Sequence, residues 1–221
     1  MSNVLDIIGP VMIGPSSSHT AGAARLGRIA LELLGEPAVR ADIALFGSFA
    51  KTYRGHGTDR ALVAGILGFA ADDVRLRDSL AIAAERGLAV SFATEDGEDV
   101  HPNTARIALT GAGGRRVEVL GSSVGGGAIL ITQIDGMAVH LTGQHVTFIV
   151  LHRDVPGLIA AVTDVLADAG TNICDFHLSR ARRGGDAVMS IEVEGLQDEG
   201  LTDRLARLDD VTGAIMLRPL A

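Results

Sequence analysis

The amino-acid sequence predicts a mixed α/β (α+β) fold in two domains, residues 1–142 and residues 145–221. Two observations predict this division. After Gly143 the chain alternates strand and helix patterns in the order βαββαβ, which is a split, ferredoxin-like unit. Before Gly143 it is glycine-rich, mixes helical and strand patterns, and carries most of the serine and histidine clusters. Apolar residues make up 47% of the 221 positions, which is enough for more than one core.

The first domain opens with three segments of clear periodicity. Ala21–Leu34 has helical spacing, Arg40–Ser48 is predicted to be a strand, and Thr58–Phe69 is helical again. Thr58 or Asp59 is placed to cap that second helix. The rest of the domain is predicted to form strands: Gly87–Glu95, Thr104–Gly111 and three within Arg115–Gly143, with a glycine run between the first two.

The second domain has equally clear signals. The segment "HVTFIVLH" from His145 is a strand, and "DVPG" from Asp154 is a turn into a helix that Gly170 ends. The strand "TNICDFHLSRARR", a hairpin turn at Gly184–Asp186 and the strand "AVMSIEVEG" follow. The helix "DEGLTDRLARLDD" and the strand "VTGAIMLRPL" complete the unit.

Charge and hydropathy exclude several classes of partner. The net charge is −8 with acidic and basic residues interspersed, which argues against nucleic acid or an anionic membrane as the main partner. No apolar run reaches the length of a membrane span. The N-terminal "MSNVLDIIGPVM" has no basic region, so we expect no secretory signal and a cytoplasmic protein.

The chain has one cysteine, Cys174. A disulfide framework within the chain is therefore excluded, as is an iron–sulfur or other metal site held by several of its own thiolates. Because Cys174 lies in an alternating strand pattern, we expect it to be an ordinary core thiol.

The stretch "GPSSSHTAG" is the first candidate for chemistry. Ser16, Ser17, Ser18 and Thr20 supply hydroxyl groups before a predicted helix, and His19 adds a titratable group. A helix N-terminus offers free N–H groups and partial positive charge to a carboxylate or phosphate. One serine alone would suffice as a cap, with the others facing solvent. Because the stretch has four hydroxyl residues and a histidine where a cap needs one residue, it favours an anion-binding, catalytic loop.

The stretch "GSFAKTYRGHGTD" is the second candidate. We expect a strand to end at Gly47-Ser48 and a loop to carry Lys51, Tyr53, His56 and Asp59 into the next helix. Glycines on both sides of His56 permit close approach of a ligand. An imidazole titrates near neutrality, so His56 is a candidate general base. The alternative is a loop histidine without a role.

Two further segments carry weaker signals. His101 precedes a Pro-Asn turn, and by itself it is most simply a turn residue. The run "SVGGG" includes Gly125 and Gly126, whose N–H groups can wrap a small ligand or whose lack of side chains can let two chains pack closely. It matches neither a P-loop nor a dinucleotide-binding fingerprint.

A Ser-His-Asp hydrolase acting alone is a further reading. The nucleophile elbow G-x-S-x-G is absent around the three serines. Adjacent side chains such as Ser18 and His19 rarely face each other productively. The hydroxyl groups are therefore predicted to bind, not to attack.

Taken together, these motifs resemble one family. "GPSSSHTAG" at Gly14, "LFGSFAKTYRGHGTD" at Leu45, "HPNT" at His101, "SVGGG" at Ser123 and "HRDVPGLIAAVTDVLADAGTNI" at His152 cover nearly the whole chain. The combination resembles the β subunit of bacterial iron–sulfur L-serine dehydratases (L-serine deaminases), with a C-terminal ACT domain.

The resemblance implies a first domain with the allosteric-substrate-binding fold of phosphoglycerate dehydrogenases. It implies a separate α subunit whose cysteines hold a [4Fe–4S] cluster, with the active site between the two chains. One iron would act as a Lewis acid on the hydroxyl group of L-serine. The products would be pyruvate and ammonia, which places the reaction in amino-acid degradation and gluconeogenesis.

The resemblance also implies roles for individual residues. His56 would take the α proton, and His19 with Ser16–Ser18 would bind the carboxylate, although the division of roles between the two histidines stays open. Thr20, Gly125 and Gly126 would join the substrate site. His101 is a weaker third candidate.

ACT domains pair edge to edge, which implies self-association and a ligand site. The loop "RDVPG" and the strand start "NICD" are expected to approach each other, so Asp154, Gly157 and Asn172 are candidates to bind an amino acid or a metal ion. The alternative is a domain that only dimerises the enzyme. For the whole chain, the alternative is a non-catalytic, serine-sensing regulatory subunit.

Overall fold

The computed structural model describes residues 12–14, 16–97, 100–195, 198 and 200–219, and it divides into two compact units between Asp135 and Gly136. The domain limits predicted from sequence, 142 and 145, stay a prediction. The segment predicted to hold no secretory signal lies mostly outside the described residues, as do Pro15 of the first motif and Asp99 before His101.

The first unit combines helices with a mixed sheet. Its helical segments are a π-helical turn at Ser17–Gly22, α1 (Ala23–Leu34), α2 (Gly47–His56), α3 (Thr58–Ile66), a 3₁₀ turn at Val74–Asp78, and α4 (Ser79–Glu85). Its strands are β1 (Ala38–Phe46), β2 (Ala89–Glu95), β3 (Thr104–Gly111), β4 (Arg116–Gly125) and β5 (Ala128–Ile134). They lie in the order β2-β1-β3-β4-β5, with β1 parallel to β2 and the other pairs antiparallel.

Helices α1 and α3 pack with their backbones in close approach. A Cβ atom added to Gly27 would lie 2.2 Å from the carbonyl oxygen of Leu62, and one added to Gly65 would lie 2.0 Å from that of Ala24. Only glycine fits at these two positions. The contact fixes the start of α1 against α3, and the residues around that start carry the candidate chemistry.

The segment expected to be a loop before the second helix is itself a helix. Residues 47–56 form α2, which ends at Gly57 in the left-handed conformation. Its glycines at both ends suggested a loop, but they lie at the termini, where a helix tolerates them. The expected cap is also wrong: neither Thr58 nor Asp59 caps α3 through its side chain.

The second unit has the predicted order of elements. After β6 (Met137–Leu141), it consists of β7 (Val146–Arg153), α5 (Leu158–Asp168), β8 (Asn172–Arg180), β9 (Asp186–Glu194), α6 (Leu201–Ala206) and β10 (Val211–Leu217). The sheet order is β10-β7-β9-β8. Alternate residues of the central strand β9 pack on α5 and α6 to form the core. The predicted fold class is confirmed.

The expectation for Cys174 is wrong. Its side chain is exposed, because the pairing of β8 with β9 shifts register between Ile173 and Asp175 and leaves Cys174 at a β-bulge. A bulge re-aims the side chain of its extra residue, so strict alternation fails there. Among the described residues, no helix is long and apolar enough to cross a membrane.

Candidate active site

The π-helical turn before α1 places His19 inside the first unit. Ser16 is the N-cap residue, and its Oγ accepts a hydrogen bond from the backbone N–H of His19 at 3.3 Å. Gly22 closes the turn against Ser123 of β4, where a Cβ atom would overlap the serine side chain. Single turns of this kind are frequent at functional sites. The imidazole of His19 is only 9% exposed.

Both ring nitrogens of His19 lie against hydroxyl groups. Nδ1 lies 3.3 Å from Ser16 Oγ, and Nε2 lies 3.2 Å from Thr52 Oγ1. Because the Thr52 hydroxyl donates to the carbonyl oxygen of Ser48 at 2.8 Å, it must accept from Nε2. This assigns the proton of neutral His19 to Nε2 and leaves Nδ1 to accept from Ser16.

One face of α2 surrounds the His19 ring. Phe49, Thr52 and His56 are three and four residues apart, which puts them on the same side of a helix. The Phe49 ring meets His19 edge-on at 5.2 Å between centroids, and the His56 ring does so at 4.8 Å. The helical form of this segment is therefore what gathers three side chains around His19.

Burial lowers the pKa of His19, and the nearby His56 lowers it further by charge repulsion. Desolvation disfavours the imidazolium form of His19, and any positive charge on the His56 ring, 4.8 Å away between centroids, would disfavour it further. His19 is thus held neutral, in the tautomer that its two hydroxyl partners select.

Unlike His19, His56 has an exposed side chain, which lines a cavity of about 290 Å³. Three arginines, Arg54, Arg60 and Arg77, line the same cavity, and no described lining residue is acidic. Glycines on both sides of His56 keep the approach to its ring open. A cavity with three guanidinium groups and an accessible imidazole suits a small anionic ligand.

The predicted hydroxyl residues do not all reach this cavity. Thr20 and Gly14 line it. Ser16 is engaged by His19, whereas Ser17 and Ser18 are half-buried within the π-helical turn. The expected loop is therefore a helical turn, and the carboxylate-binding role of its serines stays a prediction.

The segment around His101 supports α2 through its backbone. The carbonyl oxygen of Pro102 accepts from the N–H groups of Ser48 and Phe49, at 2.7 and 3.2 Å, at the start of α2. His101 itself is exposed, and its Nδ1 accepts from the N–H of Asn103 at 3.2 Å. Among the described contacts, none joins His101 to the other two histidines, and its role in the substrate site stays a prediction.

The glycine run lies between two strands, as predicted, and forms the turn from β4 to β5. Gly125, Gly126 and Gly127 all have positive φ, at 112°, 59° and 83°. The guanidinium of Arg25 on α1 donates to the carbonyl oxygen of Gly127 at 2.7 Å. Gly125 and Gly126 are exposed, and their predicted contact with substrate stays untested.

Ser16 Oγ and His19 Nδ1 are close enough, at 3.3 Å, to act as a nucleophile and its base. The groups around them differ from those of a catalytic pair. A base of this kind is oriented by a third group, commonly a carboxylate. In the part of the chain that the structure describes, the other ring nitrogen of His19 meets Thr52, a neutral hydroxyl. Ser16 also caps the helical turn, which gives its hydroxyl group a structural role.

Sequence reasoning missed four residues of this site: Arg54, Arg60, Arg77 and Thr52. Arg54 and Arg60 flank His56 closely along the chain, and Thr52 stands at helical spacing from it. Both observations indicate a shared site only if residues 47–56 form a helix, and a loop was predicted there. Arg77 comes from the 3₁₀ turn before α4, a region for which no element was predicted.

In the second unit, the expectation that Asp154 and Asn172 approach each other is wrong within one chain. Asp154 follows the end of β7, near Gly184, whereas Asn172 begins β8 opposite Glu194. Since β7 and β8 both run antiparallel to β9, these positions lie at opposite ends of the sheet.

Asp154 also has partners within the chain. The N–H of Gly184 and the guanidinium of Arg180 donate to its carboxylate, at 2.9 and 2.7 Å, and hold its pKa below the usual range. Gly157 has a φ of 90° and precedes α5. A role of Asp154, Gly157 and Asn172 in binding a ligand remains a prediction.

Comparison with known proteins agrees with the motifs. The family model described as serine dehydratase beta chain matches residues 3–87, and that of the ACT domain matches residues 145–210. A protein of Bacillus subtilis named "Probable L-serine dehydratase, beta chain" is 44% identical over 95% of this chain and 94% of its own length.

Two other relatives extend the comparison. The "L-serine dehydratase, beta chain" of Peptoniphilus asaccharolyticus is 35% identical over 96% of each chain. A D-3-phosphoglycerate dehydrogenase of Synechocystis is 23% identical over 89% of this chain and 35% of its own length. On the first two relatives, the family resemblance predicted from sequence is confirmed. The chain belongs to the family of L-serine dehydratase beta chains.

Proposed function

We propose that this chain is the β subunit of an L-serine ammonia-lyase that converts L-serine to pyruvate and ammonia. The observation that carries the proposal is the cavity in which exposed His56 stands among three arginines. A serine molecule has one fully anionic group, its carboxylate, and one weakly acidic C–H bond beside it. The cavity offers cations for the first and a base for the second.

The cavity arginines first bind the carboxylate of L-serine. Arg60 and Arg77 approach the cavity from α3 and the 3₁₀ turn, and no described salt bridge engages either guanidinium. Arginine forms paired hydrogen bonds to a carboxylate, which fix the ligand's orientation as well as its position. Neutralising the carboxylate also makes the neighbouring α proton easier to remove.

His56 then takes the α proton. Its ring faces the cavity, and none of the described hydrogen bonds engages its nitrogens. His19 does not compete, because hydroxyl groups occupy both of its nitrogens. Its neutral state adds no second positive charge next to the imidazolium that His56 becomes.

Loss of hydroxide from the β carbon then gives aminoacrylate, which water converts to pyruvate and ammonia. A [4Fe–4S] cluster bound at the site would supply Lewis acidity toward the departing hydroxyl group. The residues of this chain do not fit the cluster: its one cysteine, Cys174, lies in the second unit. In this proposal, cysteines of a partner α subunit would hold the cluster, and that subunit would complete the active site.

The second unit is proposed to associate with its counterpart in a second copy of the chain and to bind a small ligand. Asp154, Gly157 and Asn172 are retained as candidate contacts for an amino acid or a cation. Since Asp154 and Asn172 lie far apart within one chain, a site that uses both needs two copies.

The experiment is an anaerobic purification of this chain from its own cells. The eluate is assayed for pyruvate from L-serine, and its iron and sulfide are counted. We expect activity together with a co-purifying, iron-bearing second chain. An assembled complex that binds serine without forming pyruvate would leave the alternative, a serine-sensing regulatory subunit. Activity of the iron-free chain alone would indicate a hydrolase-like enzyme and would contradict the proposal.

A further inference from the structure

A second group of potential ligands lies in the second unit. His145, Cys174 and Glu192 each offer one ligand atom, and these atoms lie within 4.8 Å of one another. His145 precedes β7, Glu192 is on the central strand β9, and Cys174 is at the bulge of β8. Three adjacent strands thus bring a nitrogen, a sulfur and an oxygen ligand to the same end of one sheet.

The β-bulge is what brings Cys174 into this group. Without it, Cys174 would alternate regularly between its neighbours in β8. The pairing instead runs from Ile173 opposite Val193 directly to Asp175 opposite Glu192, with Cys174 as the extra residue. Bulges are retained where a side chain must be re-aimed.

Glu192 gives an independent indication of a ligand. Its side chain is only 4% exposed, and no described Lys, Arg or His forms a salt bridge with it. Its Oε1 accepts two hydrogen bonds from Thr142, from the N–H and from the hydroxyl, each at 2.9 Å. These bonds orient the carboxylate and leave Oε2 available. A buried carboxylate without a cationic partner is costly unless a cation offsets its charge.

Cys174 supplies the sulfur ligand of the group. Its side chain is exposed at the bulge, next to the carboxylate of Glu192. A bound divalent metal ion stabilises a thiolate directly.

We propose that His145, Cys174 and Glu192 form a binding site for a divalent transition-metal ion of the zinc class. Sulfur, imidazole nitrogen and carboxylate oxygen together suit Zn²⁺, with a fourth position left for water or another ligand. Tetrahedral zinc ligands lie about 3.4 Å apart, given metal–ligand bonds of about 2.0–2.3 Å. The exposed side chains of His145 and Cys174 can close the remaining gap by rotation. The site is independent of the proposed serine chemistry.

The test uses the full chain after treatment with a chelator, with Zn²⁺ and Co²⁺ as probes. Equilibrium dialysis measures the zinc bound per chain, and absorption spectroscopy detects a thiolate-to-cobalt charge-transfer band. We expect one zinc ion per chain and a band that Cys174→Ser abolishes. Since the chain has one cysteine, such a band has one possible origin.

Two variants distinguish a built site from a thiol that binds metal alone. His145→Ala and Glu192→Gln should each weaken zinc binding more than about tenfold, since even outer-shell partners are worth that much. His177→Ala, three residues beyond Cys174 on β8, is the matched control and should bind normally. Less than one zinc ion per chain, or binding unchanged by His145→Ala, would overturn the proposal. His145 is exposed, so its replacement leaves the fold intact even where Glu192→Gln does not.

Discussion

The two histidines of the first unit lie 4.8 Å apart between ring centroids, yet their surroundings are opposite. His19, in the π-helical turn, is buried, and both of its ring nitrogens meet hydroxyl groups. His56, at the end of α2, is exposed beside three arginines. A ring whose nitrogens are occupied holds its neighbours in position, whereas an open ring can exchange a proton with a ligand. The comparison supports the proposal that His19 positions its neighbours and that His56 transfers the proton.

The largest effect is expected for His56→Ala. Removing a general base costs about 10²- to 10⁴-fold in turnover. In the assembled two-chain enzyme, kcat for pyruvate formation from L-serine should fall by that amount while serine binding changes little. The control is His177→Ala, which replaces a histidine of the second unit. Near-normal turnover of His56→Ala would remove its role as the base.

The effect of His19→Gln should be smaller, about 10- to 100-fold in kcat, as for residues that orient a neighbouring group. Glutamine retains hydrogen-bonding capacity but does not titrate. The pH profile of kcat/KM should therefore keep its shape, because in this account the profile reports His56. Loss of the acidic limb of the profile in this variant would reverse the two roles, because protonation of the general base is what lowers kcat/KM at acidic pH.

Arg60→Gln tests the cationic side of the cavity. One charge-assisted hydrogen bond to the carboxylate would be lost, so KM for serine should rise about tenfold with a smaller change in kcat. The control is Arg116→Gln, at the exposed start of β4. An unchanged KM in steady-state assays would show that Arg60 does not contact the carboxylate.

The smallest effect is expected in the pH dependence of stability. Since burial holds the folded pKa of His19 below the unfolded value of about 6.5, the unfolded chain takes up its proton first on acidification. The free energy of unfolding should be unaffected by this group above pH ~6.5 and should fall as the pH drops from there through the folded pKa. His19→Gln should flatten this part of the curve in urea titrations. An equally steep curve in that variant would mean that His19 is not held neutral.

Much of the molecule follows from the sequence because its periodic segments are long. The strands and helices of the second unit obey simple alternation or helical spacing, and the family motifs identify both histidines. The error at residues 47–56 has a physical cause. Its helix is short, begins at Gly47 and includes Gly55, so local propensity favours a loop. Contacts of Phe49 and Thr52 with His19 stabilise the helix, and such tertiary contacts are not visible in a local pattern.

Cys174 and the cavity arginines show the same limit. The bulge at Cys174 depends on pairing with a strand whose register the sequence does not specify. Arg77 reaches the cavity from a turn that carries no strong pattern of its own. In both cases the contacts join segments distant along the chain, which is why motifs indicated the histidines but not their surroundings.

The most direct test of the two roles is chemical rescue of the alanine variants by added imidazole. In the assembled enzyme, His56→Ala opens space in an accessible cavity, so imidazole should restore part of its pyruvate formation. His19→Ala leaves a buried gap among Phe49, Thr52 and Ser16, where free imidazole cannot replace an oriented ring. Rescue confined to His56→Ala is the result that the account predicts. Rescue confined to His19→Ala, or equal loss without rescue in both variants, would contradict it.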